Sequence, residues 1–128
     1  MNSGATPLNV KLLLNDNRVD LNKTDNFGQT PFYIACYYGE IEIVKYLLAC
    51  RREININKAN IDGKTGLDIA RESVNEAWEN EEEFENEEEF ENGKRKYANI
   101  VELIESFERN QNETRTKLRI ELGFAGKF

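Results

Sequence analysis

The residues best equipped for chemistry in this chain are carboxylates. Residues 72–92 hold eleven glutamates and no lysine or arginine, and "EEEFENEEEFEN" (81–92) repeats one six-residue unit without change. Such a run could bind a cation, work as an acid–base pair, or capture a basic partner. The first use fails on spacing, because the run lacks the Asp-x-Asp-x-Asp-Gly pattern that folds a Ca²⁺ loop. The second fails on setting, because nothing in the sequence places two of these carboxylates in an apolar pocket that would drive their pKa values apart. The chain also has no histidine, no cysteine pair at metal spacing and no glycine-rich phosphate loop. We therefore expect no enzymatic activity, no cofactor and no metal. Capture of a basic protein stays open.

The formal net charge of −7 conceals an asymmetry: outside residues 72–92, the other 107 residues carry 17 basic and 13 acidic groups. A mildly basic body with one concentrated acidic segment argues against a nucleic-acid surface and admits a basic protein partner. A length of 128 residues, 39% hydrophobic and 32% charged, fits one domain with one modest core. With no run of about 18 apolar residues, no membrane span is expected. "MNSGATPLNV" has neither a basic start nor an apolar stretch, so we expect no signal peptide. The sequons at Asn22 and Asn112 are then expected to go unused. Cys36 and Cys50, both within apolar helical patterns, are expected to be reduced packing residues of a cytoplasmic or nuclear protein; "GKRK" (93–96) is too short to decide between these locations.

The elements that position these residues emerge from an internal repeat. "LNKTDNFGQTPFYIA" (21–35) aligns with "INKANIDGKTGLDIA" (56–70) at an offset of 35, and "VKLLLNDNRVDLN" (10–22) with "VKYLLACRREININ" (44–57). "IVELIESF" (100–107) matches "IVKYLLAC" (43–50). Gly28 and Gly63 stand where a tight turn wants positive φ. Thr30 and Thr65 can cap the following helix, and Pro31 suits its first turn. "PFYIACYYG" predicts a short helix closed by Gly39. "EIEIVKYLLAC" places Ile43, Val44, Leu47 and Leu48 on one helical face. Neither helix is stable alone, so each must bury its stripe against neighbours.

"DNFGQTPFYIACYYGEIEIVKYLL" resembles an ankyrin repeat, a β-turn followed by a short helix carrying the T-P-L-H-x-A box and a longer antiparallel helix. The box reads "TPFYIA" here, with Phe32 for Leu and Tyr33 for His, and "TGLDIA" in the next unit, with Gly66 for Pro and Asp68 for His. Whatever hydrogen bonding the family's His supplies is thus missing or replaced. The resemblance covers residues 8–110 apart from the glutamate segment. It implies an all-α ankyrin-repeat solenoid of stacked helix–turn–helix units with β-turn tips, in one domain. Its parts are an N-terminal half repeat (8–22), a complete repeat (23–57), a C-terminal repeat (58–110) with an acidic insertion at about 75–96, and a capping helix (112–123). Two and a half repeats are few for such a stack, so cover must come from the ends or a partner. In "NETRTKLRIELGF" the reading is N-cap Asn112, a face of Leu118 and Leu122, and closure at Gly123. Its basic residues make either a solvated face or a docking face.

The glutamates interrupt the last repeat. Ala35 precedes Val44 by nine residues, whereas the matching Ala70 precedes Val101 by 31, so 22 residues separate the two helices in excess. Three forms compete. A lengthened helix continues the spacing Leu67, Ala70, Val74, Ala77, Glu81 and Phe84 past Trp78, turns at Asn92-Gly93, and sets Lys94, Arg95 and Lys96 beside the late glutamates. Like-charge i,i+4 pairs and the helix dipole oppose it. A passive acidic loop is the second form, and a recruitment segment using Trp78, Phe84 and Phe90 the third. The balance falls to the helix.

Ankyrin stacks bind through turn tips and the open face of the short helix. Carried over position by position, the partner-binding residues are Asn26, Phe27 and Gln29, then Ile61, Asp62 and Lys64, with Tyr37 and Tyr38 on the open face and Glu72 and Ser73 at the later equivalents. Apolar tips and adjacent tyrosines suit a contact surface. The leading expectation is a non-catalytic protein-interaction module using this concave strip, monomeric or weakly self-associating. The alternatives are self-association through the face of "PLNVKLLL" (7–14), or capture of a basic partner by the acidic-aromatic insertion.

Overall fold

The computed structural model describes residues 16, 18–50, 52–79 and 87–123, and for residues 77–79, 87 and 89–91 the backbone alone. Most of the expected half repeat (8–22), the face of "PLNVKLLL" and Phe84 lie outside the described residues, as do the side chains of Trp78 and Phe90. The described residues form helices and turns. Helix α1 (Pro31–Tyr37) and α2 (Ile41–Ala49) make the middle repeat, α3 (Gly66–Glu79) and α4 (Glu87–Arg109) the last, and α5 (Gln111–Glu121) follows.

The two turns are built alike. Asp25 Oδ1 accepts the backbone N–H groups of Phe27 and Gln29, each at 2.9 Å, and Asn60 Oδ1 accepts those of Asp62 (2.9 Å) and Lys64 (3.0 Å). A short polar side chain thus holds each turn through its own backbone. Gly28 has φ of 74°, and a Cβ there would stand 3.1 Å from the nitrogen of Ile61. That same Ile61 N–H donates to the Phe27 carbonyl at 3.1 Å, tying the two tips side by side.

Both short helices start from a threonine. Thr30 Oγ1 accepts the N–H of Tyr33 at 3.1 Å, with Pro31 in the first turn. Thr65 Oγ1 accepts the N–H of Asp68 (3.2 Å) while the Asp68 carboxylate accepts the N–H of Thr65 (3.0 Å), a reciprocal cap. Asp68 holds the box histidine position. In the middle repeat Tyr33 holds it, with its ring buried and its hydroxyl accepting from Asn60 Nδ2 at 3.1 Å. The missing histidine is replaced twice, by different chemistry. The other box departures also fit together: a Cβ on Gly66 would come within 3.0 Å of the Phe32 ring and of Cys36 Sγ. A larger residue at one box position has its room from a smaller one at the other.

The core runs through Phe32 and Cys36 of α1, Val44, Leu47 and Leu48 of α2, Ala70 of α3, and Ile100, Ile104 and Phe107 of α4. Each fully buried large side chain contributes on the order of 1.5–3 kcal/mol. Cys36 and Cys50 are free and buried, and burial pushes the Cys36 thiol up to about 12.

Described residues of the insertion lengthen both helices of the last repeat. Helix α3 has 14 residues against 7 in α1, and α4 has 23 against 9 in α2. The expected turn at Asn92-Gly93 is corrected: both residues lie inside α4, so the second hexapeptide and Lys94–Lys96 share one helix instead of facing each other. A mid-helix glycine costs roughly 1 kcal/mol relative to alanine, and α4 runs through it, flanked by glutamate and lysine, which are good helix formers.

With the tips tied level, α3 overhangs α1 by its seven extra residues, about 10 Å. The Tyr97 hydroxyl donates to the Tyr37 carbonyl at 3.1 Å, which fixes where α4 passes the end of α1. The ten residues of α4 before Tyr97 extend about 15 Å further. A helical overhang therefore stands at the end of the short helices away from the turn tips.

Helix α5 packs on α2 and α4. Its N-cap is Asn110, not Asn112: Asn110 is extended (φ −155°, ψ 94°) and its Oδ1 accepts the N–H of Glu113 at 3.0 Å. Leu118 is buried, Leu122 packs on the core, and Gly123 closes the helix at φ of 74°. Nor is its basic face simply solvated. Arg115 Nε donates to the Leu48 carbonyl (3.4 Å) and Arg119 to that of Ala49 (3.0 Å), while the Tyr46 carbonyl accepts from Cys50 N (3.0 Å) and that of Leu47 from the Cys50 thiol (3.2 Å). All four carbonyls at the end of α2 are accounted for, two of them by α5.

Candidate partner-binding surface

Five large apolar or aromatic side chains are exposed among the described residues: Phe27 (60%), Tyr37 (48%), Tyr38 (47%), Ile61 (68%) and Ile120 (77%). The first four belong to the strip read from the sequence. Phe27 and Ile61 stand side by side on the tied turn tips, with Asn26 and Asp62 exposed beside them. Gln29 and Lys64 close their turns and are half-buried. Tyr37 and Tyr38 occupy the other end of α1, beneath the overhang.

Tyr33 joins the two ends. Its hydroxyl reaches the second turn through Asn60, and its ring stacks on Tyr37 (centroids 6.4 Å, planes 29° apart). Tyr38 meets Tyr37 edge to face at 5.0 Å and 70°. Such pairs favour these geometries, so the exposed tyrosines are held by the buried one. Burial raises the Tyr33 phenol above its usual range. The phenol of Tyr97 is raised as well, by burial first and then by Tyr37, Glu76 and Glu40 around it. Lys96 Nζ lies 5.2 Å from the Tyr97 ring centroid. Gly39, at φ of 67°, passes so close that a Cβ would sit 2.6 Å from Lys96 Cε.

The later equivalents behave differently. Glu72 is half-buried and pairs with Lys64 at 2.7 Å, which raises the Lys64 pKa, and the Ser73 hydroxyl donates to the Ile69 carbonyl at 2.9 Å. Both partners of the ion pair are about 40% exposed, so it contributes little to stability. It aligns two strip residues in preference to leaving two free charges. Trp78 and Phe90 lie on the backbones of α3 and α4.

Sequence reasoning missed Tyr97 and Asn60 as supports of the strip. Asn60 has a signal, since it repeats Asp25 at the offset of 35. Tyr97 has none, because its reach to Tyr37 depends on how far α4 is lengthened. Among the described residues no group of His, Cys, Asp or Glu could hold a metal ion, and no helix is long and apolar enough to cross a membrane.

A family model described as Ankyrin repeats (3 copies) matches residues 2–78. No curated protein and no solved structure matches the chain.

Proposed function

The chain belongs to the ankyrin repeats, a family that generally mediates protein–protein interaction and is typically non-catalytic, and from that premise we propose that it binds a partner protein through the strip running from the turn tips to the end of α1. The observation that carries this reading is the placement of exposed apolar surface: Phe27, Ile61, Tyr37 and Tyr38 all fall on that strip. Apolar and aromatic anchors ringed by polar groups are what interface centres use. Asn26, Gln29, Asp62, Lys64 and Glu72 supply the polar margin.

The test compares proteins co-purifying with the wild type, with Phe27→Asp/Ile61→Asp, with Tyr37→Ala/Tyr38→Ala, and with Ile120→Asp. The expected result is a partner lost by at least tenfold in both strip variants and kept by Ile120→Asp, whose residue is exposed but off the strip. Survival of binding in both strip variants would sink the reading.

A second reading rests on the overhang, whose two helices carry the described parts of the acidic segment, residues 73–79 and 87–92, beyond the length of α1. Here a basic partner is held by the glutamates, and binding weakens steeply between low and physiological salt. Deleting residues 80–86 and shortening the overhang would abolish this binding while leaving the strip intact.

A further inference from the structure

Helix α5 is joined to α4 by one residue, Asn110. Its backbone already bonds as a helix on both sides: Asn110 N–H donates to the Ser106 carbonyl at 3.0 Å, and its own carbonyl accepts from Thr114 N–H at 3.1 Å. The break is local, made by the extended dihedrals of Asn110 and the cap from its side chain to Glu113. Nothing else in the sequence enforces it. Between Lys94 and Leu122 there is no glycine and no proline, so a continuous helix from α4 through α5 is open to this chain. Straightening Asn110 replaces one side-chain cap with the backbone hydrogen bonds that the first turn of α5 now lacks.

What holds α5 in the bent form is a seat made largely by another element. Arg115 and Arg119 donate to carbonyls of α2, 67 and 70 residues away, and Lys45 of α2 pairs with Glu121 at 2.5 Å. Leu118 is buried against the same seat, and Arg115 lies over the Phe107 ring at 5.5 Å. A second copy of the chain offers an identical seat. We propose that the chain dimerises by exchanging α5: with Asn110 straightened, the α5 of each copy occupies the α2–α4 seat of the other. Every seat contact is kept, the hinge gains helical hydrogen bonds, and the opposing cost is the lost freedom of two molecules. A one-residue joint is the kind of short hinge that invites such an exchange. This inference stands apart from the partner-binding strip, which lies on α1 and the turns.

Two measurements on the full chain test it. In sedimentation across a concentration series, wild type is expected to show a reversible monomer–dimer equilibrium. Asn110→Ala loses the cap and favours the helix, raising the association constant roughly a hundredfold over two hinges; Asn110→Gly keeps the bend and disfavours the straight helix, lowering it. The second measurement mixes Lys45→Glu with Glu121→Lys. Each variant alone places like charges at its own seat, but an exchanged heterodimer restores an opposite-charge pair at both seats. The heterodimer is therefore expected to exceed either homodimer several-fold. A chain monomeric at all concentrations in all hinge variants overturns the proposal, and so does a dimer indifferent to residue 110 and to the charge exchange.

Discussion

The second helices of the middle and last repeats are the same element put to two uses. Aligned through Val44 and Val101, Leu48 of α2 corresponds to Glu105 of α4; by the offset of 35, Cys36 of α1 corresponds to Arg71 of α3. In the middle repeat Cys36 and Leu48 are fully buried. In the last repeat the corresponding positions are an ion pair, Arg71 to Glu105 at 2.7 Å, with side chains 52% and 40% exposed. The difference lies in what comes next along the stack. The middle repeat presents those positions to another repeat, and the last presents them to water as a polar face. The last repeat then spends its length elsewhere, in the overhang.

The comparison can be broken most sharply at Leu48. Leu48→Ala should lower unfolding stability by roughly 2–5 kcal/mol, because it empties a site enclosed on every side; urea titration reads this, and a loss under 1 kcal/mol would mean that the middle repeat is not the better-buried one. Removing both Arg115 and Arg119 by substitution to alanine leaves two carbonyls of α2 without partners, and should cost about 2 kcal/mol. A change in thermal midpoint smaller than that of a single surface substitution would show that the end of α2 does not need α5. In the overhang the sign reverses. Gly93→Ala should stabilise α4 by about 0.5–1 kcal/mol and raise helicity by circular dichroism, whereas a turn at Asn92-Gly93 would make the same substitution destabilising. The smallest effect belongs to the open end: Arg71→Ala should change stability by less than about 0.5 kcal/mol, since an exposed pair in high dielectric contributes little.

Much of the repeat was legible because its signals are local and written twice. Gly28 and Gly63, Thr30 and Thr65, and the Asp25 and Asn60 turns need only their own neighbours. The two misread boundaries have different causes. Asn92-Gly93 is a strong turn signal in isolation, yet α4 runs through it between flanking residues, glutamate and lysine, that are themselves good helix formers. Asn110 was legible after all: Asn110 with Glu113 forms the N-cap-to-N3 pattern, while Asn112 has Arg115 at the matching place. The strip could be named residue by residue because turn tips and helix faces follow from the repeat. Its supports could not, since the Tyr97–Tyr37 bond and the Lys64–Glu72 pair depend on helix lengths and side-chain reach. The seat of α5 was hidden for a related reason: which carbonyls lack partners at the end of α2 is known only once the fold is.

The completion of α2 by Arg115 and Arg119 also bears on the order in which the chain is made. Most contacts in a repeat stack join neighbours, so folding can follow synthesis unit by unit. Here the partners of Leu48 and Ala49 are made 67 and 70 residues later, several seconds behind at about 5–20 residues per second. Until they arrive the middle of the molecule is provisional. A chain grown only as far as Arg109 would lack α5, yet the helix left unfinished by that loss would be α2.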